Sequence, residues 1–506
     1  MIWKLAVAIA AAICIAIGLF ELQDARKGLR IVTSKVGETP VTIFRPQVTP
    51  PVPVIVIAHG FAGSQQLMQP FAETLARNGY IAVTFDFRGH GRNPVPLRGD
   101  LNEGMTITSE LLKELEEVAA YAGSLPDSDG RMAVLGHSMA SDIVIRFAQA
   151  TPAIVATVAV SAFSPVTTAT SPRNLLVIVG ALEPSMLRDE GLRIVNLAAD
   201  GKAVAGETYG RFADGTARKL VVARGVEHIG VLYSHDSLLQ SLQWMNAAFG
   251  RQQQGFVDGR GGSLALLFLG IIAMAWPLSQ CLPVASPAFA GADLPWNKLL
   301  ITAIIPALLT PLMLWRMPTD FLPILLGDYL ALHFLLYGAL TAALLFVWRS
   351  RASIPNLVAP CWKSLAVSAA VIGAYNILAF GWPIDAYLFS FLPIAGRVPL
   401  LFVIACGTLP YFLADEWATR GAQARPGATL LTKSCFLLSL AIAVALNPMK
   451  LFFLIIVMPA ILLLFAIFTL ISRWSYQATH HPLPGAVANG AVFAWAITVT
   501  FPIMVR

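Results

Sequence analysis

Charge is what this sequence has least of. Asp, Glu, Lys and Arg make up 13% of its 506 residues, where a soluble domain carries about 25%. With a mean hydropathy of +0.68, that excludes a wholly soluble chain. Cysteine is also scarce: Cys14, Cys281, Cys361, Cys406 and Cys435 are the five, and none falls within residues 21–260. No CxxC and no Cys/His grouping with metal spacing occurs, which argues against a zinc site and against a disulfide framework. No metal and no cofactor is therefore expected. A cysteine-free segment suits an oxidising compartment and the cytoplasm alike. No Lys/Arg cluster with interleaved aromatics occurs, so no nucleic-acid partner is expected. The formal net charge of +6 sits largely in short loops between apolar runs, where Lys and Arg follow membrane topology.

What is present is unevenly distributed. Residues 1–20, MIWKLAVAIAAAICIAIGLF, join one early Lys to an apolar run. No A-x-A-like cleavage site follows, so they read as an uncleaved membrane anchor with Lys4 snorkelling. Residues 30–250 read as an ordinary soluble domain, and residues 251–262 as a polar, Gly-rich linker. From residue 263 to 506, apolar runs recur at about 264–281, 299–315, 328–348, 365–383, 398–414, 434–447, 451–472 and 485–504. This predicts a helical membrane domain of six to eight spans. Asp328, His333 and Asp385 are ionisable residues in or beside these runs; Asp328 is expected to cap a helix start, Asp385 to lie in a loop, and His333 to find a neighbour. No intramembrane charge pair is evident.

Loop charges bear on orientation. With the soluble half outside, the inner loops carry Lys298, Arg349, Arg351, Lys363, Arg420, Arg425, Lys433 and Arg473, against Arg316, Arg397, Lys450 and Arg506 outside. Arg26, Lys27, Arg30, Arg251 and Arg260 weigh the other way. The expectation is a bacterial inner-membrane protein with its soluble half on the periplasmic side.

In the soluble half, Val- and Ile-rich runs alternate with helical stretches, which predicts βαβ units and a mostly parallel sheet with flanking helices. Strands are expected at Val52–Ala58, Tyr80–Phe85, Arg131–Leu135, Ile154–Val160, Leu175–Val179 and Leu220–Arg224. In the helix expected at Ser109–Ala122, Leu111, Leu115 and Val118 face in and Glu110, Glu114 and Glu117 face out. Gly136-His137-Ser138-Met139-Ala140 falls between a strand and a helix, the setting a nucleophile elbow requires. On so sharp a turn the residues two before and two after the serine must be small, as Gly136 and Ala140 are. The N–H of Met139, at the helix start, is placed to stabilise an oxyanion.

Together with the strand ending in His59-Gly60 and the stretch Asp86-Phe87-Arg88-Gly89-His90-Gly91, this elbow resembles the α/β-hydrolase family over roughly residues 30–250. The resemblance implies a serine hydrolase with catalytic residues in the order Ser, acid, His. Ser138 is then the nucleophile and His228, just past the last strand, the base, with His235 the next candidate. Glu183, three residues after Gly180, matches the acid; Asp214 and Asp189 remain rivals. The resemblance also makes the N–H of Phe61 the second oxyanion donor, beside Met139, and has Asp86 and Arg88 brace loops. The stretches 161–173 and 199–216 are too short for a lid. The function expected is cleavage of a carboxylic ester, of a lipid or another hydrophobic substrate, through an acyl-enzyme. Alternatives are a serine peptidase of the same fold and a lipid-handling membrane protein with an accessory hydrolase. The membrane and a hydrophobic ester are the expected partners; substrate-binding residues and oligomeric state are not legible.

Overall fold

The computed structural model describes residues 2–47, 50–99, 104–252, 255–350 and 359–505; Arg351 and Arg506 of the loop-charge comparison lie outside them. The chain forms two compact units. A sheet unit holds Ala16–Leu267, Ile384–Phe391 and Pro502–Arg506, and a helical unit holds Met1–Ile15, Phe268–Pro383 and Leu392–Phe501.

The strands are β1 Leu29–Val36, β2 Thr39–Pro46, β3 Val52–Ala58, β4 Ile81–Phe85, β5 Leu97–Arg98, β6 Ser128–His137, β7 Ile154–Val160, β8 Leu175–Gly180, β9 Thr208–Tyr209, β10 Arg218–Ala223 and β11 Met504–Val505. Nine of them form one sheet in the order β1-β2-β4-β3-β6-β7-β8-β10-β9. From β4 to β10 neighbouring strands are parallel. The β1–β2 hairpin joins β4 antiparallel, and β9 closes the other edge antiparallel. Every residue of β3 and β8 is buried, as expected where helices cover both faces of a parallel sheet. β5 and β11 pair separately.

The helices are α1 Ile2–Asp24, α2 Gln69–Arg77, α3 Gly104–Gly123, α4 Met139–Ala150, α5 Ser185–Asn196, α6 His235–Phe249, α7 Arg260–Ser279 and α8 Trp296–Leu314. After them come α9 Gly327–Ser350, α10 Trp362–Tyr375, α11 Gly381–Tyr387, α12 Val398–Thr419, α13 Ala428–Leu446, α14 Pro448–Thr479 and α15 Leu483–Thr500. The stretch expected to be a linker is thus partly helical, since α7 begins at Arg260. One outward assignment in α3 is wrong. Glu114 is fully buried because it accepts hydrogen bonds from the Thr39 hydroxyl at 2.5 Å, Asn93 Nδ2 at 2.8 Å and the Arg88 N–H at 2.8 Å. Burial pushes its carboxyl above the usual range against those three donors. Helical period alone could not reveal that partners from two other segments, β2 and the loop after β4, converge there.

Among the described residues, nine helical stretches are long and apolar enough to cross a membrane: α1 and eight after residue 259, with α10, a π turn and α11 forming one of them. The chain is an integral membrane protein. In the helical unit, Phe334, Tyr337, Tyr411, Phe412, Phe436, Phe465 and Phe493 pack ring against ring. α9 and α12 approach closely because Gly338 faces the Tyr411 backbone and Gly407 the Ala331 backbone, the use of small residues expected between apolar helices.

The expectation of no intramembrane charge pair is overturned. Lys433 of α13 donates to Asp415 of α12 at 2.8 Å, and Arg420 donates to Glu416 at 2.8 Å. Both pairs are buried. The Lys433 ammonium also lies 4.6–4.7 Å from the ring centroids of Phe412, Tyr411 and Phe465. Lys433 lies between Thr432 and Ser434, 18 residues from Asp415, so its pairing across two helices left no local pattern, whereas Glu416 and Arg420 are spaced i,i+4 within one stretch. His333 finds Ser439 at 3.1 Å and Tyr329 at 3.3 Å, and Asp328 accepts the N–H groups of Phe321 and Leu322. Asp385 is not in a loop but in α11, where it pairs with Arg92 in the sheet unit.

Candidate active site

β6 runs into a sharp turn at Ser138, and α4 starts at the next residue. Ser138 adopts φ 54° and ψ −116°, a region sparsely populated by non-glycine residues and found at functional sites. The turn is tight enough that a Cβ on Gly136 would run into the Ala140 carbonyl. The Ser138 N–H is anchored to the Val160 carbonyl at 2.8 Å. This fixes the backbone and leaves the hydroxyl to meet other groups.

The Ser138 hydroxyl lies 3.0 Å from His228 Nε2. His228 Nδ1 lies 2.5 Å from Glu183 Oε1. The second oxygen, Oε2, accepts from the Gly180 N–H at 2.6 Å and from the Ser161 hydroxyl at 3.0 Å. The Glu183 side chain is wholly buried and that of His228 about a fifth exposed. The carboxylate can therefore present one oxygen only to the imidazole. Three loops that follow three strands, β6, β8 and β10, bring these residues together, as the sequence order anticipates. The rivals lie elsewhere: Asp214 pairs with Arg211 at the surface, Asp189 sits within α5, and His235 is exposed at the first residue of α6.

Met139 is the first residue of α4, and the first N–H groups of a helix have no partner within it. Phe61 lies in the turn after β3. His59 shapes that turn: its Nε2 accepts the Phe87 N–H at 3.1 Å, so Nδ1 carries the proton and donates to the Gly60 carbonyl at 2.8 Å. Asp86 joins the same two loops by accepting the N–H groups of Gln65 at 2.8 Å and Arg92 at 3.0 Å. Arg88 reaches Glu110 at 3.0 Å.

Two residues beside Ser138, His228 and Glu183 had no role assigned from the sequence. Ser161, the first residue past β7, also has positive φ and holds Glu183 as described; a lone Ser after a strand carries no distinguishing pattern. His137 is buried, its Nε2 donating to the His228 carbonyl at 3.1 Å and its ring 4.8 Å from the His228 ring. Burial, reinforced by the neighbouring His228, lowers its pKa well below the ordinary histidine value. Burial likewise lowers that of His59. Both act as neutral, oriented donors.

The family profile described as "Serine aminopeptidase, S33" matches residues 49–191. A curated relative, the quorum-quenching protein AidA of Acinetobacter baumannii, is 30% identical over 105 residues, 20% of this chain. The match spans only about a third of that relative's own length, 33%. Among solved structures, a putative dienelactone hydrolase of Klebsiella pneumoniae is 18% identical, covering 44% of this chain and 99% of its own, with a TM-score of 0.33. Protein TT1662 of Thermus thermophilus is 16% identical, covering 44% of this chain and 100% of its own, with a TM-score of 0.34. By its sheet order, its elbow and the family match, this chain carries an α/β-hydrolase domain.

Proposed function

We propose that the protein is a membrane-bound serine hydrolase cleaving a carboxylic ester of a hydrophobic substrate, with Ser138 as nucleophile, His228 as base and Glu183 as acid. The observation that carries the reading is the unbroken hydrogen-bonded row from the Ser138 hydroxyl through His228 to a buried Glu183. A serine hydroxyl needs an adjacent base to attack a carbonyl. His228 takes its proton and returns it to the leaving alcohol, while Glu183 stabilises the imidazolium. The N–H groups of Met139 and Phe61 receive the negative charge on the carbonyl oxygen. Water then repeats the sequence on the acyl-enzyme and releases the acid.

The hydrophobic substrate is supported by what stands next to the site. Leu182 precedes Glu183 and is 67% exposed, Ile229 follows His228, and Phe163, two residues past Ser161, is 55% exposed. Large apolar side chains left in solvent beside a site favour an apolar ligand. Anchoring by several spans keeps such a site at a lipid surface and raises the effective concentration of lipid esters. The family description favours a second reading, an aminopeptidase on the same residues. Turnover of medium-chain esters and of aminoacyl amides by the purified full chain separates the two: faster cleavage of amides would replace the first reading by the second.

We place the hydrolase domain outside the inner membrane. Four candidate spans run from Arg260 to Tyr387 and four more from Ala395 to Thr500, so single crossings would return the chain to the same side after each set. Two cations that opposed this orientation have other employment: Arg26 pairs with Glu73, and buried Arg260 pairs with Glu73 and Asp258.

A further inference from the structure

Two stretches that the chain reaches only after several apolar helices belong to the sheet unit, and both bear on loops beside Ser138. The first is residues 384–391. The Ser390 N–H donates to Ser64 Oγ at 2.9 Å, and the Ser390 hydroxyl donates to Gln66 Oε1 at 3.0 Å. Ser64, Gln66 and Ser390 are all buried. Gln66 Nε2 donates to the Asp385 carbonyl at 3.3 Å, and the Asp385 carboxylate pairs with Arg92. Its other oxygen accepts the Phe391 N–H at 3.0 Å, closing the segment on itself. Ser64 and Gln66 lie on the turn that carries Phe61.

The second stretch is residues 502–505. β11 pairs with β5 in parallel, the Leu97 N–H donates to the Ile503 carbonyl at 2.9 Å, and the Ile503 N–H donates to the Gly89 carbonyl at 2.9 Å. Gly89 has φ +73°, and a Cβ there would collide with the Ile503 carbonyl. This close approach explains glycine at the position. The next residue, His90, sets its ring edge-on to Phe61 with centroids 6.1 Å apart. Each late segment thus grips one of the two loops that His59 and Asp86 tie together.

We propose that residues 384–391 and 502–505 position the oxyanion turn, with Ser390 and Asp385 as positioning residues for Phe61. The proposal rests on the reading of Ser138, His228, Glu183 and Phe61 given above. Oxyanion donors must meet the developing charge at hydrogen-bond distance, and a misplacement of about 1 Å can cost on the order of a hundredfold in rate. Segments that brace the turn therefore act on kcat. The sheet and the elbow are built without them, from strands between residues 29 and 223. The hydrolase is accordingly complete only in a chain whose later helices have delivered both segments.

The test uses the full chain in detergent, a soluble p-nitrophenyl ester, and turnover counted per fluorophosphonate-reactive site, so that misfolded molecules drop out. Ser64→Ala, Ser390→Ala, Asp385→Asn and a chain ended after Pro502 are each expected to lower kcat by about ten- to a hundredfold with KM unmoved. They are also expected to weaken a boronic acid, whose tetrahedral adduct occupies the oxyanion site, in parallel with kcat. Exchanging the pair as Arg92→Asp with Asp385→Arg restores the rate lost in Asp385→Asn. Wild-type kcat in all four variants overturns the proposal, as does a fall in thermal stability with kcat per site unchanged. Ser138→Ala separates the two readings. If it retains turnover, the triad reading fails first; if it is inactive while the four variants match wild type, the positioning alone is wrong.

Discussion

At the scale of single residues, Ser138 is the most exposed claim. Ser138→Ala is expected to abolish fluorophosphonate labelling and to lower turnover by several orders of magnitude, as loss of a triad member does. Labelling that survives the substitution would move the nucleophile elsewhere. His59 and His137 carry a pH prediction. Both are buried, and both have pKa values below the ordinary one. Below about pH 6.5 the unfolded chain binds protons at these positions that the folded chain does not. Stability is then full above that pH and falls as pH is lowered, by up to about 1.4 kcal/mol per unit for each histidine. Thermal unfolding of the full chain between pH 7.5 and 5 checks this. His137→Gln should flatten the slope, and an unchanged slope would refute its part in it.

At the scale of elements, the elbow depends on the close approach of β6 and α4. The space at Gly136 is taken by the Ala140 carbonyl, so even one methyl forces strand and helix apart. Gly136→Ala is expected to destabilise the domain by about 1–3 kcal/mol, the cost typical of overpacking, and to lower kcat by displacing Ser138. Denaturation midpoints and kcat measured on the same preparations test it; a variant with native stability and rate would show that the turn yields. The converse substitution, Ala140→Gly, should leave the rate nearly unchanged, because Ala140 already fits. In the helical unit, Lys433→Met should be costly because it leaves Asp415 buried without its cation, and loss of one partner of a buried pair costs about 3–5 kcal/mol. Lys433→Met with Asp415→Leu should recover much of that, read as yield and thermal stability of the purified full chain.

At the scale of the whole molecule, reporter fusions test the orientation. Alkaline phosphatase joined within residues 250–262, or after residue 505, should be active and GFP dark at both sites. The 420–427 turn should give the reverse. Opposite signals from the first two sites would break the even count of spans between them. Lipid turnover is the second test at this scale. The full chain in vesicles should cleave lipid esters that the detergent-solubilised chain turns over poorly, while both cleave short soluble esters alike. Equal rates on lipid in both settings would detach the spans from substrate capture. Excising residues 31–250 for this comparison would remove the segments 384–391 and 502–505 as well as the spans, and so confound two causes.

The division into an apolar half and a βαβ half was legible because both signals are local: runs of apolar residues long enough to span, and short Val/Ile runs at strand length. The elbow was legible for a similar reason, since a sharp turn restricts the residues at Gly136 and Ala140 to small ones within one pentapeptide. Glu183 and His228 could be named from their order after the last strands, but only the tertiary structure set Asp214, Asp189 and His235 apart from them. Distances between loops of different strands leave no trace in spacing. Glu114 and the Lys433–Asp415 pair defeated the sequence reading because a charge is tolerated in the interior wherever distant segments supply its partners. The grip of residues 384–391 and 502–505 on the loops around Phe61 belongs to the same class. It is made of hydrogen bonds between positions some 300 to 400 residues apart, and no local pattern encodes a contact whose two sides meet only after the intervening helices have folded.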